Sequence, residues 1–448
     1  MRIPKSATAV LDGLRGKVEG AEVFESRIER LQVRFKANEL DSVKSAEERG
    51  RALRVIKGGK LGYVTSTDPE SGPLIEQALE SARLGEPIAL NFPGPQRYMK
   101  VSCRDRRVEE LSANRLIKRG QEAVEKLLAY DPSLKVEVGI SRGYEELTLL
   151  NTAGLEHRDR RTLLSAFVMA ERVREGDIFV VSASDRARDS KRVDPSAMAD
   201  SLIERLRWGE RIASVQTKAM PVVFMPHGWV VLLLPLMVGL NGRSVYMGTS
   251  PLKGRLGEQL FDARLSLWDD GTLAWGGRSA PCDDEGVAAR RIALIEKGAL
   301  KGFLYDLKTA TQAGAASTGH GLKEGFIGAG ERDFRRPPAI APTNWMIAPG
   351  DQPLSKMLAE LDEVLLIDEV MGLGGGNILA GVFSNTVSVG FLVRKGEIVG
   401  RLKNIMISGN VYELLKGRVR ALGDKCEWAY GIYQAPAVCL EGVSVAAQ

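Results

Sequence analysis

The side chains able to do chemistry are few in this sequence, and the histidines are the most informative. Among 448 residues only three are histidines: His157, His227 and His320. A zinc hydrolase typically clusters its histidines, often two on one helix face, beside carboxylate ligands. Here no histidine has another within about sixty residues. Histidines so far apart in sequence rarely form one zinc site. We therefore expect no zinc site, although His227, His320 and a cysteine leave one open alternative.

Other reactive motifs are equally weak. The sequence holds no G-x-S-x-G nucleophile elbow. Cys282 precedes the acidic residues 283–285, whose charges raise a thiol pKa and suppress the thiolate. The acidic run could hold a cation, but a solvated turn is the more common form of such a run. The glycine cluster at 372–376 lacks the Lys-Ser/Thr of a phosphate loop, so we expect a turn there.

Charge and composition limit the classes of partner that we expect for this protein. Lysine and arginine total 62 against 57 acidic residues, a net charge of +5. The densest basic runs, at 104–107, 158–161 and 186–192, are interleaved with acids and carry no aromatic partners for stacking on bases. We expect them to be solvated faces, and we expect no nucleic-acid partner. Four cysteines without a CxxC pair, and an N-terminus without an apolar core segment, predict a cytoplasmic protein.

The composition of the chain changes near residue 218. Residues 1–217 hold 72 of the 119 charged side chains, whereas residues 218–448 hold 32 of the 48 glycines. Residues 219–242 lack Lys, Arg, Asp and Glu, as a membrane span would. Pro226 and Pro235 interrupt the run, and no second span exists, so we predict no membrane association. The segment instead predicts a short strand at 222–225 and a buried helix from about 228 to 240.

The wider pattern predicts an α+β fold: a mixed N-terminal α/β region followed by a glycine-rich, mainly antiparallel β domain. We place domains at residues 1–97, 98–217 and 218–448. Hairpins are predicted around residues 57–60, 296–302 and 394–400, and helices at 73–84, 111–129 and, after the Asp194-Pro195 cap, beyond 195. Strand-like runs fall at 135–140, 147–150, 162–170 and 178–184. Residues 332–353, with five prolines, are expected to be irregular surface backbone.

Several segments, taken together in their order and spacing, resemble the TldD/TldE (PmbA) proteins. They are residues 250–258, 278–287, 317–321, 341–344, 380–384 and 408–410. The closing stretch 440–445 looks like the end of a TldE protein. The similarity is most specific over 250–448 and looser through the first half, for example at 38–43.

This resemblance implies a heterodimeric zinc metallopeptidase that cleaves unfolded peptides in a closed chamber. In the family, the catalytic subunit carries HExxxH on a helix that follows a short strand. At the matching positions this sequence has Leu234 for the first histidine, Pro235 for the glutamate and Gly239 for the second histidine. None of these residues can bind zinc or act as a base. The resemblance is therefore closest to the non-catalytic TldE subunit.

Other positions depart from the family pattern. The family's further zinc ligand is a cysteine near the C-terminus, but Cys426 and Cys439 lie in differently patterned surroundings. His320 stands where asparagine is common, and Val382 replaces a usual acidic residue.

The leading hypothesis is a TldE-like partner of a TldD-like subunit that supplies the zinc, with unfolded peptides as substrates. It carries no cofactor of its own and no catalytic residue, and its peptide-binding residues are unassigned. Two alternatives stay open. One is a self-sufficient peptidase or hydrolase with an unrecognised site, in which His227 or His320 would act. The other is a regulatory peptide-binding protein that does no proteolysis.

Overall fold

The computed structural model describes residues 5–68, 73–324 and 332–447, which build two large β-sheets with helices packed on them. The α+β prediction is confirmed, with a mixed N-terminal region and a mainly antiparallel C-terminal sheet. The predicted divisions at residues 97 and 217 both fall between elements, and the domain boundaries stay predictions.

The N-terminal sheet has six antiparallel strands in the order β3-β2-β1-β4-β5-β6. The strands are β1 (Gly20–Lys36), β2 (Glu39–Lys57), β3 (Lys60–Ser66), β4 (Lys135–Asn151), β5 (Glu156–Arg174) and β6 (Asp177–Ala187). The central pair β1 and β4 joins segments that lie more than 100 residues apart in the chain. Gly58 and Gly59, at φ of 59° and 66°, close the predicted hairpin between β2 and β3, because glycine adopts this backbone without steric strain.

Helices cover one face of this sheet. They are α1 (Lys5–Leu14), α2 (Leu74–Leu84), α3 (Arg106–Glu109), α4 (Ala113–Tyr130) and α5 (Pro195–Trp208). The predicted cap of α5 is confirmed, since the Asp194 carboxylate accepts a hydrogen bond from the Ser196 backbone N–H.

One strand is longer than its sequence pattern indicates. The separate runs predicted at 135–140 and 147–150 belong to the single strand β4. The polar residues between them, 141–146, stay in register with both β1 and β5. Backbone pairing on two sides therefore overrides the break in hydrophobic alternation.

The C-terminal sheet has twelve strands, of which β18 and β19 lie off the main path. Its strands and the small pair β12 and β13 are β7 (Ile212–Ala213), β8 (Lys218–Phe224), β9 (Leu267–Asp270), β10 (Arg291–Glu296), β11 (Ala299–Leu300), β12 (Gly321–Leu322), β13 (Ala339–Ile340), β14 (Trp345–Ile347), β15 (Val364–Met371), β16 (Val382–Arg394), β17 (Glu397–Leu402), β18 (Ile405–Asn410), β19 (Val419–Ala429) and β20 (Tyr433–Ala447). Its helices are α6 (Val230–Gly239), α7 (Gly242–Met247), α8 (Leu307–Ala313), α9 (Leu354–Ala359) and α10 (Val411–Gly417).

The two similar hairpins share their turn geometry. Lys297 and Gly298 have φ of 49° and 80°, and Lys395 and Gly396 have 49° and 84°. Two successive residues at positive φ form the type I′ turn that matches strand twist. Both predicted hairpins are confirmed.

One hydrophobic core holds the two sheets together. Val136 and Val168 of the N-terminal sheet share a buried cluster with Val223 and Phe391 of the C-terminal sheet. A second, larger cluster fills the C-terminal part and includes most of α6. Within the described residues, no helix is long and apolar enough to cross a bilayer; α6 has only ten residues.

Candidate functional site

The apolar helix α6 follows β8 as the sequence predicts. Pro226 leads into a single 3₁₀ turn, His227–Trp229, and α6 then begins at Val230. Pro235 lies inside α6 and removes one backbone donor, a defect that tertiary packing must offset. Packing is extensive because the helix is apolar all round and most of its residues are buried in the C-terminal core.

Neighbouring side chains bond to the backbone at two of the three positions matched to the zinc motif. The Tyr412 hydroxyl donates a hydrogen bond to the Pro235 carbonyl at 3.2 Å, and Ser250 Oγ donates to the Gly239 carbonyl at 2.6 Å. A Cβ added at Gly239 would fall within 3.0 Å of the Tyr412 hydroxyl oxygen. Burial raises the pKa of Tyr412 to about 12, so this hydroxyl keeps its proton. Leu234 is half-buried.

A zinc ion does not fit this set of side chains. Leu234, Pro235 and Gly239 present no donor atom, and an imidazole at 239 would first have to displace Tyr412. Among residues 5–68, 73–324 and 332–447, no three His, Cys, Asp or Glu side chains are arranged to hold a metal ion. No step of a reaction can therefore be derived through a metal bound at α6.

A pocket of about 280 Å³ opens beside α6, and Leu252, Arg255, Ala380, Tyr412 and Lys416 line part of it. The two segments that flank it carry exposed large apolar side chains. We call this set the apolar rim: Tyr246, Met247, Leu256, Leu373, Leu379 and Val382, each at least 36 % exposed. Exposed large apolar side chains on segments that flank one pocket suit a surface that contacts another protein.

His227 lies at the start of α6 in a buried polar cluster. Its Nδ1 lies 3.9 Å from the Asp368 carboxylate, and its ring packs edge-on against Tyr430. Burial lowers the pKa of His227 to about 4, so the imidazole is neutral at pH 7. The Asp368 carboxylate is also paired with Arg205 at 2.6 Å.

The same cluster joins the two sheets through Glu369. Ser182 of β6 donates its hydroxyl to the Glu369 carboxylate of β15 at 3.0 Å. Burial, together with the neighbouring Asp368, raises the pKa of Glu369 to about 7. We did not identify Asp368 and Glu369 from the sequence. Two acidic residues directly after the buried run 364–367 were the available signal.

The other two histidines, His320 and His157, contact residues outside α6. His320 is 1 % exposed, and its Nε2 lies 3.0 Å from the Asp269 carboxylate. His157 packs edge-on against Tyr98, and burial lowers its pKa. The structure does not bring the three histidines together.

The acidic run after Cys282 is buried, which corrects the expected solvated turn. Asp284 accepts from Arg332 at 2.7 Å, and Glu285 accepts from Arg54 of β2 at 2.6 Å. Desolvation, with Glu285 nearby, raises the pKa of Asp283 well above its ordinary value. Cys282 is fully buried there, and desolvation raises its pKa, so its expected lack of reactivity is supported by burial more than by neighbouring charge.

Two further surface expectations are wrong for the same reason. Arg161, Arg186 and Arg188, from runs expected to be solvated, are at most 5 % exposed. Arg332 and Trp345, from the proline-rich stretch expected at the surface, are at most 2 % exposed. The four arginines lie where the N-terminal sheet meets the C-terminal part, two regions that sequence alone does not place in contact. Trp345 is instead buried inside the C-terminal core.

Three family models match this chain in succession. The PmbA/TldA metallopeptidase domain 1 matches residues 21–84, the central domain matches 106–210, and the C-terminal domain matches 217–447. The C-terminal match contains α6 and the apolar rim.

Similar proteins span most or all of this chain. A metalloprotease PmbA of Escherichia coli is 25 % identical, covering 100 % of this chain and 96 % of that protein. A metalloprotease TldD homologue of Haemophilus influenzae is 26 % identical over 86 % of this chain and 81 % of its own. The crystal structure of TldE from Thermococcus kodakarensis superposes with a TM-score of 0.89, at 24 % identity, covering 98 % of this chain and 100 % of that chain. At that identity the superposition shows the shared fold.

Proposed function

We propose that this chain, which belongs to the PmbA/TldD metallopeptidase family, is a non-catalytic subunit that acts beside a zinc-binding homologue. The observation that supports this most directly is α6. By our match to the family's zinc motif, Leu234, Pro235 and Gly239 stand at its three positions, and the Tyr412 hydroxyl lies against Pro235 and Gly239.

The partner in this proposal is a homologous chain that retains HExxxH and binds the zinc. It docks on the apolar rim, because that surface flanks α6 and exposes large apolar side chains that water solvates poorly. The substrates are unfolded peptides, held in an extended form that can add to a sheet edge.

Reconstitution tests the proposal. The chain is mixed with a family homologue that carries HExxxH, and association, zinc content and hydrolysis of an unfolded peptide are measured. We expect a stable complex, zinc that is lost when the homologue's motif is mutated, and hydrolysis only when both chains are present. The proposal would be overturned if the chain did not associate with the homologue and the homologue cleaved peptides alone.

A matched pair of variants locates the contact. Leu379→Arg places a charge on the apolar rim, where Leu379 is 48 % exposed, and should weaken association at least tenfold. Leu84→Arg makes the same change at the end of α2, where Leu84 is 90 % exposed, and should leave association unchanged. Equal effects of the two variants would contradict docking on the rim.

The two alternatives give different results in the same experiment. A self-sufficient hydrolase would cleave peptide as an isolated chain, and His227→Ala or His320→Ala would abolish that cleavage. A regulatory peptide-binding protein would support its cellular function with a partner whose HExxxH is inactivated. Either result would replace the proposed subunit role.

A further inference from the structure

The second strand of the N-terminal sheet is longer than the strand that covers its outer side. β2 pairs with β1 from Glu39 to Ile56, whereas β3 pairs with β2 only from Arg51 onwards. In the part of the chain that the structure describes, no strand other than β1 pairs with residues 39–50. We call residues 43–47 of β2 the open edge.

The ladder pattern of β2 determines the side to which each of its residues bonds, because hydrogen-bonded and non-hydrogen-bonded pairs alternate along antiparallel strands. The two-residue turn at 58–59 makes Lys57 and Lys60 a hydrogen-bonded pair. Odd-numbered residues of β2 therefore bond towards β3. Even-numbered residues bond towards β1, in agreement with the Glu19 N–H, which donates to the Ile56 carbonyl at 2.9 Å.

The same alternation reaches the open edge, because the register between β1 and β2 is regular from Ser42 to Ile56. Val43, Ser45 and Glu47 therefore direct their N–H and C=O groups away from β1, to the side that β3 leaves uncovered. Among the described residues, no backbone group bonds to them from that side. Unpaired groups at this spacing form a template for the edge of another strand.

The side chains of the open edge do little to keep another strand away. Natural sheets protect their edges with proline, bulges or charged side chains. No proline occurs in the sequence from 39 to 66. The open edge has two charged residues, Lys44 and Glu47, and the Glu47 carboxylate is already paired with Arg27 and Arg49. Lys44 is therefore the one charge on the open edge that the described residues leave without an ion pair.

The length of the open edge favours a peptide over a second folded copy. Five residues of strand span only about 17 Å, whereas a stable interface between two folded chains buries at least about 1,200 Å². An extended peptide can pair with the edge alone, through main-chain hydrogen bonds. Val43 is 44 % exposed, and Ser45 is exposed and short, so the side chains beside the backbone leave room for an added strand.

We propose that the open edge binds an extended segment of an unfolded polypeptide as an added strand beside β2. The backbone groups of Val43, Ser45 and Glu47 exchange hydrogen bonds with the peptide backbone, so binding depends little on the peptide sequence. An apolar peptide residue beside Val43 adds a cross-strand contact. This inference rests on the proposed function for its class of substrate, and it assigns the sheet edge that holds that substrate.

Fluorescence anisotropy of the full chain, without a partner, tests the proposal. The probe is a labelled peptide of alternating threonine and valine with a lysine at each end, and we expect saturable binding. Ser45→Pro removes an outward N–H but no bond to β1, and it should weaken binding about fivefold, the effect of one hydrogen bond. Ser45→Ala is the matched control, because it keeps the N–H and should bind the peptide as the wild type does. Circular dichroism establishes that each variant is folded.

A second peptide, N-methylated at its three central residues, cannot pair through either of its edges and should not bind. Equal binding of the two peptides would overturn the proposal. So would the absence of saturable binding by the wild type, unchanged binding by Ser45→Pro, or an equal loss in Ser45→Ala. A wild-type dimer that Ser45→Pro dissociates would assign the open edge to a second copy instead.

These outcomes are separate from those of the reconstitution. The open edge belongs to the N-terminal sheet, whereas α6 and the apolar rim belong to the C-terminal part. Peptide binding is measured on one chain, without zinc and without hydrolysis. A failure to bind peptide would therefore overturn the role of the open edge and leave the proposed subunit role standing, whereas failed association with the homologue would do the reverse.

Discussion

Changing Glu369 to glutamine should make the stability of this protein less sensitive to pH. Glu369 lies in the junction between the sheets, where Asp368, Arg205 and Tyr430 surround it and Ser182 donates to its carboxylate. Its pKa rises from 4.5 to about 7 on folding, chiefly through burial. The folded state therefore favours the protonated carboxyl, which glutamine resembles in shape and charge.

The sign and size follow from proton linkage. A carboxyl group with a raised pKa contributes stability that is present below pH 4.5 and is lost as the pH rises towards 7. At 1.36 kcal/mol per pKa unit, the full loss is about 3 kcal/mol, and roughly 2.5 kcal/mol of it falls between pH 5 and pH 8. Glutamine does not titrate, so Glu369→Gln removes this loss.

Urea unfolding at pH 5 and pH 8 measures the effect. The free energy of unfolding of Glu369→Gln, relative to wild type, should rise by about 2.5 kcal/mol from the lower pH to the higher. Glu363→Gln is the control from the other end of the same segment, because Lys218 and Arg394 lower the pKa of Glu363. That variant should show no such gain at pH 8. A Glu369→Gln difference that stays constant within ~0.5 kcal/mol across this range would refute the reasoning.

Two other changes test the packing described above. Gly239→Ala should destabilise the chain by about 1–3 kcal/mol, because its Cβ overlaps the Tyr412 hydroxyl; adding Tyr412→Phe should recover part of the loss in thermal unfolding. A double mutant no more stable than Gly239→Ala would contradict this explanation. Arg332→Met should cost about 3–5 kcal/mol by leaving Asp284 buried without its cation, while Glu324 keeps only Arg278. Chemical denaturation checks this value, and a loss below ~1 kcal/mol would show that water reaches the carboxylates.

Local signals in the sequence predict local structure well. The turns at Gly298 and Gly396, and the cap at Asp194, depend on a few adjacent residues, and each is confirmed. An apolar run broken by prolines favours a short core helix over a membrane span, and the predicted helix is confirmed as α6.

The burial of charge could not be predicted, because the partners are distant in the sequence. Arg54 and Glu285 are 231 residues apart, and the hydroxyl of Tyr412 reaches a carbonyl 177 residues earlier. Composition and periodicity report which residues are polar, but they do not report which opposite charge the fold will bring near. The sequence of the acidic run at 283–285 is therefore typical of a solvated turn, although contacts between distant segments bury it.

The pairing of β1 with β4 sets the order in which the nascent chain can fold. Glu22 pairs with Asn151, so the centre of the first sheet cannot close until about 150 residues have left the ribosome. Until then, the hairpin of β1 and β2 exposes an unpaired edge that could pair with other chains. Contacts of such long sequence separation slow folding. A fragment that ends before β4 should therefore aggregate during synthesis, whereas one that includes β6 can complete the sheet.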